Sequence, residues 1–108
     1  MSYQVETIKN FEREAKRLKK KFPSLKQELN DLIDILEQNP FWGTPLQDGF
    51  YKIRLGIKSK AKGKRGGARI ITYVKIVAET VYLVSIYDKS EQSDISDVEL
   101  VRLLNDVP

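Results

Sequence analysis

Residues 50–87 read FYKIRLGIKSKAKGKRGGARIITYVKIVAETVYLVSIY, and this stretch decides the fold of the chain. Three segments of it, residues 50–55, 68–76 and 80–87, are rich in the β-branched and aromatic residues that favour strands. A connection rich in glycine and lysine, residues 56–67, joins the first two segments, and a short turn joins the last two. The stretch therefore predicts a three-stranded antiparallel meander.

Two helical patterns precede the meander. Apolar residues recur at spacings of three and four along each of them, which is typical of a helix with one buried face. Proline at position 23 separates the two, because it disfavours helical geometry in the residue before it. Asn39-Pro40 ends the second helix. The two stripes are Ile8, Phe11, Ala15, Leu18 and Phe22, and then Leu25, Leu29, Leu32, Ile33 and Leu36.

The ends of the chain complete the predicted order. Residues 3–6 alternate apolar with polar and predict a short first strand, with Thr7 as the N-cap of the first helix. Residues 95–104 predict a C-terminal helix with Ser93-Asp94 as its cap. The predicted fold class is α+β, a single compact domain over residues 1–108 in the order β-α-α-β-β-β-α.

Positive charge is concentrated in the meander. From Lys52 to Lys75 the chain carries nine Lys or Arg and no Asp or Glu, whereas the 108 residues together have a net charge of only +4. Alternation along a strand puts Lys52 and Arg54 on one face. With Arg69 beside them, three cations would meet there, which suits a backbone phosphate. The alternative is an amphipathic strand with one solvated face.

Two further groups of residues are left with two interpretations each. Phe41 and Trp42, at the start of a turn-rich loop, either close the bottom of the core or stack on a nucleic-acid base. The cations between the first two strands of the meander either contact RNA or the ribosome through phosphates, or belong to a solvated loop. These cations are Lys58, Lys60, Lys62, Lys64 and Arg65.

The composition narrows the chemistry. The chain has no histidine and no cysteine, which excludes Ser-His-Asp and Cys-His hydrolases and removes the usual zinc ligands. We therefore expect no metal and no cofactor, and a general acid or base that is a Lys, Tyr, Asp or Glu. The sequence shows no apolar run of about 18 residues and no apolar leader, so it predicts a cytoplasmic protein without a membrane contact.

Three segments resemble the RelE/ParE superfamily of toxins from bacterial type II toxin-antitoxin systems. They are YKIRL (51–55), GGARIITYV (66–74) and VYLVSIYDKSE (81–91). The resemblance covers nearly the whole chain and implies a RelE-like fold and a cognate antitoxin protein. RelE-like members are ribosome-dependent endoribonucleases, or mRNA interferases, which cut message and inhibit translation. ParE-like members inhibit DNA gyrase.

The resemblance also implies site residues. Lys52 and Arg54 match two strand positions whose cationic side chains lie near the scissile phosphate in RelE, and Arg69 matches the arginine of the next strand. Lys89 stands where RelE has an arginine that stabilises charge or protonates the leaving oxygen. Ile95 stands where RelE has its catalytic tyrosine, so Tyr87 is the candidate for that function. Lys52 is a candidate base in its neutral form only.

The RelE-like branch is the favoured prediction, with a metal-free cleavage of ribosome-bound mRNA. Two alternatives stay open. One is a ParE-like inhibitor of DNA gyrase without nuclease activity, and the other is a non-toxic basic module that binds nucleic acid.

Overall fold

A computed structural model describes residues 2–59 and 66–108 of the chain. Its elements follow the predicted α+β order, with one very short strand added before the meander. They are β1 (Gln4–Thr7), α1 (Lys9–Lys21), α2 (Leu25–Gln38), β2 (Thr44–Pro45), β3 (Phe50–Leu55), β4 (Ala68–Lys75), β5 (Thr80–Asp88) and α3 (Asp97–Leu104).

The strands form one mixed sheet in the order β1-β5-β4-β3-β2. The predicted antiparallel meander is confirmed as β3, β4 and β5, and β2 extends it by pairing antiparallel with β3. The N-terminal strand β1 pairs in parallel with β5, from Gln4 opposite Thr80 to Thr7 opposite Leu83. The first strand of the chain therefore lies beside the last one.

The predicted apolar stripes of the two helices fill the core. All five stripe residues of the first helical pattern are buried, and so are those of the second except Ile33, which is partly buried. β5 is buried along its whole length, as expected for a strand covered on both faces. Burial of this apolar surface is the main favourable contribution to folding.

Side chains of α1 fix an irregularity in β5. The register between β4 and β5 shifts by one residue, which leaves Val84 as the extra residue of a bulge. The Asn10 amide donates a hydrogen bond to the Val84 carbonyl at 3.1 Å. The Glu14 carboxylate accepts from the Ser85 hydroxyl at 2.9 Å and from the Ile86 backbone amide at 3.2 Å. The helix thus satisfies backbone groups that the bulge takes out of the ladder.

The predicted N-cap of α1 was wrong. Thr7 is the last residue of β1, and the residue before the helix is Ile8, whose side chain makes no capping hydrogen bond. The Thr7 hydroxyl donates instead to the Glu12 carboxylate at 2.5 Å. The parallel pairing with β5 holds Thr7 in extended geometry and so moves the start of the helix one residue along.

The predicted cap of α3 was also wrong. The helix begins at Asp97, and its cap is Ser96, whose hydroxyl accepts a hydrogen bond from the Glu99 amide at 3.2 Å. Ser93-Asp94 lies before it, and the Asp94 carboxylate instead accepts hydrogen bonds from the Lys52 ammonium and the Ile95 amide. In the described ranges 2–59 and 66–108, no helix is long and apolar enough to cross a membrane.

Candidate functional site

An open cleft of about 660 Å³ lies over the end of the sheet where β3 and β4 meet the segment that follows β5. Four cationic side chains line it, and we call them the cleft cations: Lys52, Arg54, Arg69 and Lys89. Phe41 and Trp42 line the same cleft. Four of the five residues predicted to act in catalysis are thus brought to one concave surface.

Strand register explains why these side chains converge. Arg54 lies directly opposite Arg69, and Arg69 directly opposite Tyr87. Residues paired in this way project to the same face of a sheet, and Lys52, two residues before Arg54, shares that face. Arg69 is only 6% exposed, and its guanidinium donates to the Ala68 carbonyl at 3.2 Å. The cation at the centre of the row therefore has a restricted position.

Lys89 reaches the cleft from the segment after β5. Its backbone amide donates to the Gly67 carbonyl at 3.1 Å, which continues the β4–β5 pairing past the end of the strands. Its ammonium donates to the Ser93 carbonyl at 2.6 Å. The carbonyl partner holds the Lys89 ammonium in place at the edge of the cleft.

Asp94 is a site residue that the sequence interpretation missed. Its carboxylate lies 3.2 Å from the Lys52 ammonium and accepts a hydrogen bond from the Ile95 amide at 2.8 Å. The Ile95 amide and then Lys52 lower the pKa of the Asp94 carboxyl. No periodicity in the sequence links positions 52 and 94, so only the path of the loop after β5 brings them together.

Tyr87 lies behind the cleft rather than on its surface. The residue is 4% exposed, and its hydroxyl makes no hydrogen bond within the part of the chain that the structure describes. Burial first, and then the nearby Asp94 carboxylate, raises the pKa of Tyr87 to about 12, although Arg69 acts in the opposite direction. An unpartnered buried hydroxyl costs about 1–3 kcal/mol. This group stays protonated at neutral pH, which suits a proton donor and not a base.

The two aromatic residues of the loop before β2 are exposed. Phe41 is 44% and Trp42 46% exposed, so the interpretation that they close the core is wrong. The Phe41 ring packs between Tyr3 and Tyr51, with ring centroids 6.2 and 6.0 Å away. Trp42 is exposed to about the same extent and adds an apolar surface to the lining of the cleft.

Gly43 holds this loop against β3. It has a φ of +108°, and a Cβ at this position would lie 2.7 Å from the Lys52 carbonyl oxygen and 2.8 Å from Ile53 Cγ1. Both contacts are shorter than a side chain allows, so the close approach requires glycine. The next residue, Thr44, pairs with Lys52. Trp42 is therefore attached to the strand that carries two of the cleft cations.

The remaining predicted residues lie elsewhere. Lys58 does not line the cleft, and its backbone amide donates to the Glu28 carboxylate of α2 at 2.7 Å. The predicted RNA contacts Lys60, Lys62, Lys64 and Arg65 lie outside the described residues. Within residues 2–59 and 66–108, no group of three or more potential ligands from His, Cys, Asp and Glu is arranged to hold a metal ion.

Solved structures of two bacterial toxins are similar to this chain, although no protein-family model matches its sequence. A mutant of the E. coli toxin RelE in the free state has a TM-score of 0.60 and 17% identity, over 86% of this chain and 90% of that one. A metal-bound toxin from Helicobacter pylori has a TM-score of 0.53 and 22% identity, over 83% of this chain and 98% of that one. The chain therefore has the fold of the RelE-like toxins, as its sequence predicts.

Proposed function

We propose that this protein is the toxin of a type II toxin-antitoxin system and cuts ribosome-bound messenger RNA without a metal ion. The observation that carries the proposal is the convergence of four cations in one open cleft in front of a protonated tyrosine hydroxyl. The RelE-like fold supports the toxin class. The cleft supports the nuclease, because it offers groups for a phosphate and for a leaving oxygen.

The reaction is an attack of the ribose 2′-hydroxyl on the adjacent phosphorus. A bond forms between the 2′ oxygen and phosphorus as the 2′-hydroxyl gives its proton to a base, either Lys52 as a neutral amine or a water molecule, and the bond from phosphorus to the 5′ oxygen breaks. Negative charge grows on the non-bridging oxygens in the transition state. Arg54 and Arg69, opposite each other on neighbouring strands, would bind those oxygens with planar guanidinium groups. Donors placed in this way are worth about 10²–10³ in rate each.

The leaving 5′ oxygen needs a proton. Tyr87 carries one through the neutral range, because its pKa is raised to about 12. Its hydroxyl is buried close to the Asp94 carboxylate, so donation from Tyr87 requires the side chains in front of it to move when substrate binds. Lys89, at the surface of the cleft, is the second candidate for this donation.

One substitution distinguishes the two functions considered for Lys52, phosphate binding and general-base catalysis. A phosphate-binding Lys52 acts as a cation, whereas a general base at this position acts as a neutral amine. Arginine keeps the charge and does not deprotonate in proteins. We expect Lys52→Arg to retain most of the cleavage activity and Lys52→Ala to lose it. Equal loss in both variants would favour Lys52 as the base.

The proposal is tested by inducing the protein in bacteria and mapping new 5′ ends on cellular RNA. We expect cuts within translated message at ribosome positions, and we expect Arg69→Ala to abolish them. Arg17→Ala is the matched control, because it removes one arginine that lies outside the cleft. A parallel assay for cleavage complexes of DNA gyrase covers the alternative target. Gyrase-linked DNA breaks without RNA cuts would overturn the nuclease proposal.

The proposed partners follow from the proposed activity. Acting on ribosome-bound message means that the protein works in the cytoplasm and contacts both ribosome and mRNA. A cognate antitoxin would silence it, and co-expression of the neighbouring gene product should restore growth. Cations of the β3–β4 connection, including Lys58, would add salt-dependent phosphate contacts that carry no sequence preference.

A further inference from the structure

Trp42 stands at the boundary between two clefts of opposite character. On one side is the cleft of the four cations, which has no carboxylate among its lining residues in the described ranges. On the other side is a second cleft of about 630 Å³, which Glu28 and Asp31 of α2 line. Trp42, Ile53 and Arg54 line both. A polyanion that approaches Trp42 is therefore attracted to the first cleft and repelled from the second.

The exposure of Trp42 is not explained by packing in the described structure. Nearly half of this large apolar side chain is accessible, although the core lies close by. Its neighbour Phe41 packs on two tyrosine rings, whereas no such ring contact is found for Trp42 among the described residues. Gly43 fixes the backbone beside it against β3. An exposed aromatic face held in place beside cations is the combination with which proteins bind unpaired bases.

We propose that Trp42 is a base-stacking position for single-stranded RNA, with the cleft cations binding the phosphates that run from the stacked nucleotide into the cation-lined cleft. The occupant is single-stranded, because a base inside a duplex has no free face to offer a side chain. Stacking is tolerant of sequence, since every base has a π face. Trp42 is thus a positioning residue, which fixes where the backbone crosses Arg54 and Arg69. This inference rests on RNA being the substrate.

The chain provides its own probe, because Trp42 is the single tryptophan. Its fluorescence reports on this position alone. We expect an unstructured ten-nucleotide RNA to quench the emission in the absence of ribosomes. A strand of equal length and charge built from abasic spacers should bind through phosphates but leave the emission nearly unchanged. Equal quenching by the two strands would overturn the proposal.

Affinity provides the second measurement. We expect Trp42→Ala to weaken RNA binding by roughly 5- to 150-fold and Trp42→Phe to retain most of it, as removal and replacement of a stacking ring predict. Val77→Ala is the control, because Val77 is 95% exposed in the turn between β4 and β5, outside the cleft. Affinity unchanged in Trp42→Ala would overturn the proposal. Unfolding curves check that the variants fold, and a surface side chain leaves no cavity when it is truncated.

The two proposals fail separately. RNA that quenches Trp42 without being cut on ribosomes would leave the stacking position intact and remove the nuclease. Ribosome-dependent cuts that are unaffected in rate and position by Trp42→Ala would leave the nuclease intact and remove the stacking position.

Discussion

Two groups of cations in this molecule differ in the number of carboxylates that face them. At one end of α1, Arg17 and Lys21 meet Asp88 and Glu91, with contacts between 2.6 and 3.4 Å. In the cleft, four cations meet one carboxylate in the described structure, that of Asp94. The first group is balanced and ties a helix to the end of β5. The second keeps an excess of positive charge and is therefore the one that can bind an anion.

Burial differs between the groups as well. The side chains of Arg17 and Lys21 are 61% and 46% exposed, and Arg17 and then Lys21 lower the pKa of Glu91 through hydrogen bonds. In the cleft, Arg69 is nearly buried, and the Tyr87 hydroxyl behind it makes no hydrogen bond within the described residues. The comparison indicates that position and counter-charge, more than the number of cations, distinguish a binding site from a surface ion pair. Four experiments test that conclusion.

The largest effect is expected from Tyr87→Phe. Removing the hydroxyl should lower the rate of RNA cleavage by about 10²–10⁴, the usual contribution of a general acid. Thermal stability should stay equal or rise slightly, because a buried group without a hydrogen-bond partner is removed. An RNA-cleavage assay with extracts containing the variant and purified ribosomes measures the cleavage rate, and a melting curve measures the thermal stability. Full activity in this variant would assign proton donation to Lys89 or to water.

The same residue predicts a pH dependence of folding. The pKa of Tyr87 is about 12 in the folded chain, against about 10 for an ordinary tyrosine. Below pH 10 both states are protonated and nothing changes. Between pH 10 and 12 the unfolded chain ionises first, so the free energy of unfolding should fall by roughly 2–3 kcal/mol. Denaturant titrations at several pH values measure the loss, and Tyr87→Phe should lack it. An identical loss of stability in Tyr87→Phe would show that the ionisation of Tyr87 is not its cause.

A smaller effect, a gain in RNA affinity, is expected from Asp94→Asn. The substitution removes the counter-charge of Lys52 and makes the cleft resemble the balanced group even less. RNA should bind up to about fivefold more tightly, since an ion pair near the surface contributes about 0.2–1 kcal/mol. Asp97→Asn is the matched control, because it removes the same charge from the first turn of α3. The prediction fails when both variants tighten binding equally.

The smallest effect is expected from a substitution in the balanced group at the end of α1. Arg17→Ala should change RNA affinity by less than about twofold and unfolding free energy by less than about 0.5 kcal/mol, as for most surface substitutions. Its charge is already matched by the Glu91 carboxylate at 2.6 Å. If Arg17→Ala lost as much RNA affinity as Arg54→Ala, total charge would matter more than its local balance, and the contrast between the two groups of cations would not hold.

Much of the fold could be predicted from local patterns. The bounds of β3 agree with the structure at both ends, because Phe50 and Leu55 are flanked by glycine. The buried stripes of α1 and α2 follow from spacing alone. The parallel partner of β1 could not be predicted, because the pattern of a strand says which face is buried and not which strand lies beside it.

The candidate site was predictable in part. Strand alternation grouped Lys52 with Arg54, and the register of β3 and β4 adds Arg69. Asp94 was beyond sequence reasoning, because its contact depends on a loop path. Trp42 was ambiguous for another reason. The sequence of a turn-rich loop does not show whether a large apolar residue in it packs into the core or faces a ligand. Only the accessible surface of Trp42 in the structure distinguishes these two positions.

The pairing of the first strand with the last sets the order in which the molecule can assemble. β1, α1 and α2 are synthesised first, yet β1 needs the edge of β5 and α1 needs its bulge. The same β4–β5 pairing aligns Arg69 with Tyr87. A chain that stops before β5 therefore has neither a covered helical face nor Arg69 and Tyr87 in register. Synthesis runs from the N-terminus, but the N-terminal elements cannot complete their packing until β5 has been synthesised, so the cleft forms only after that strand is available.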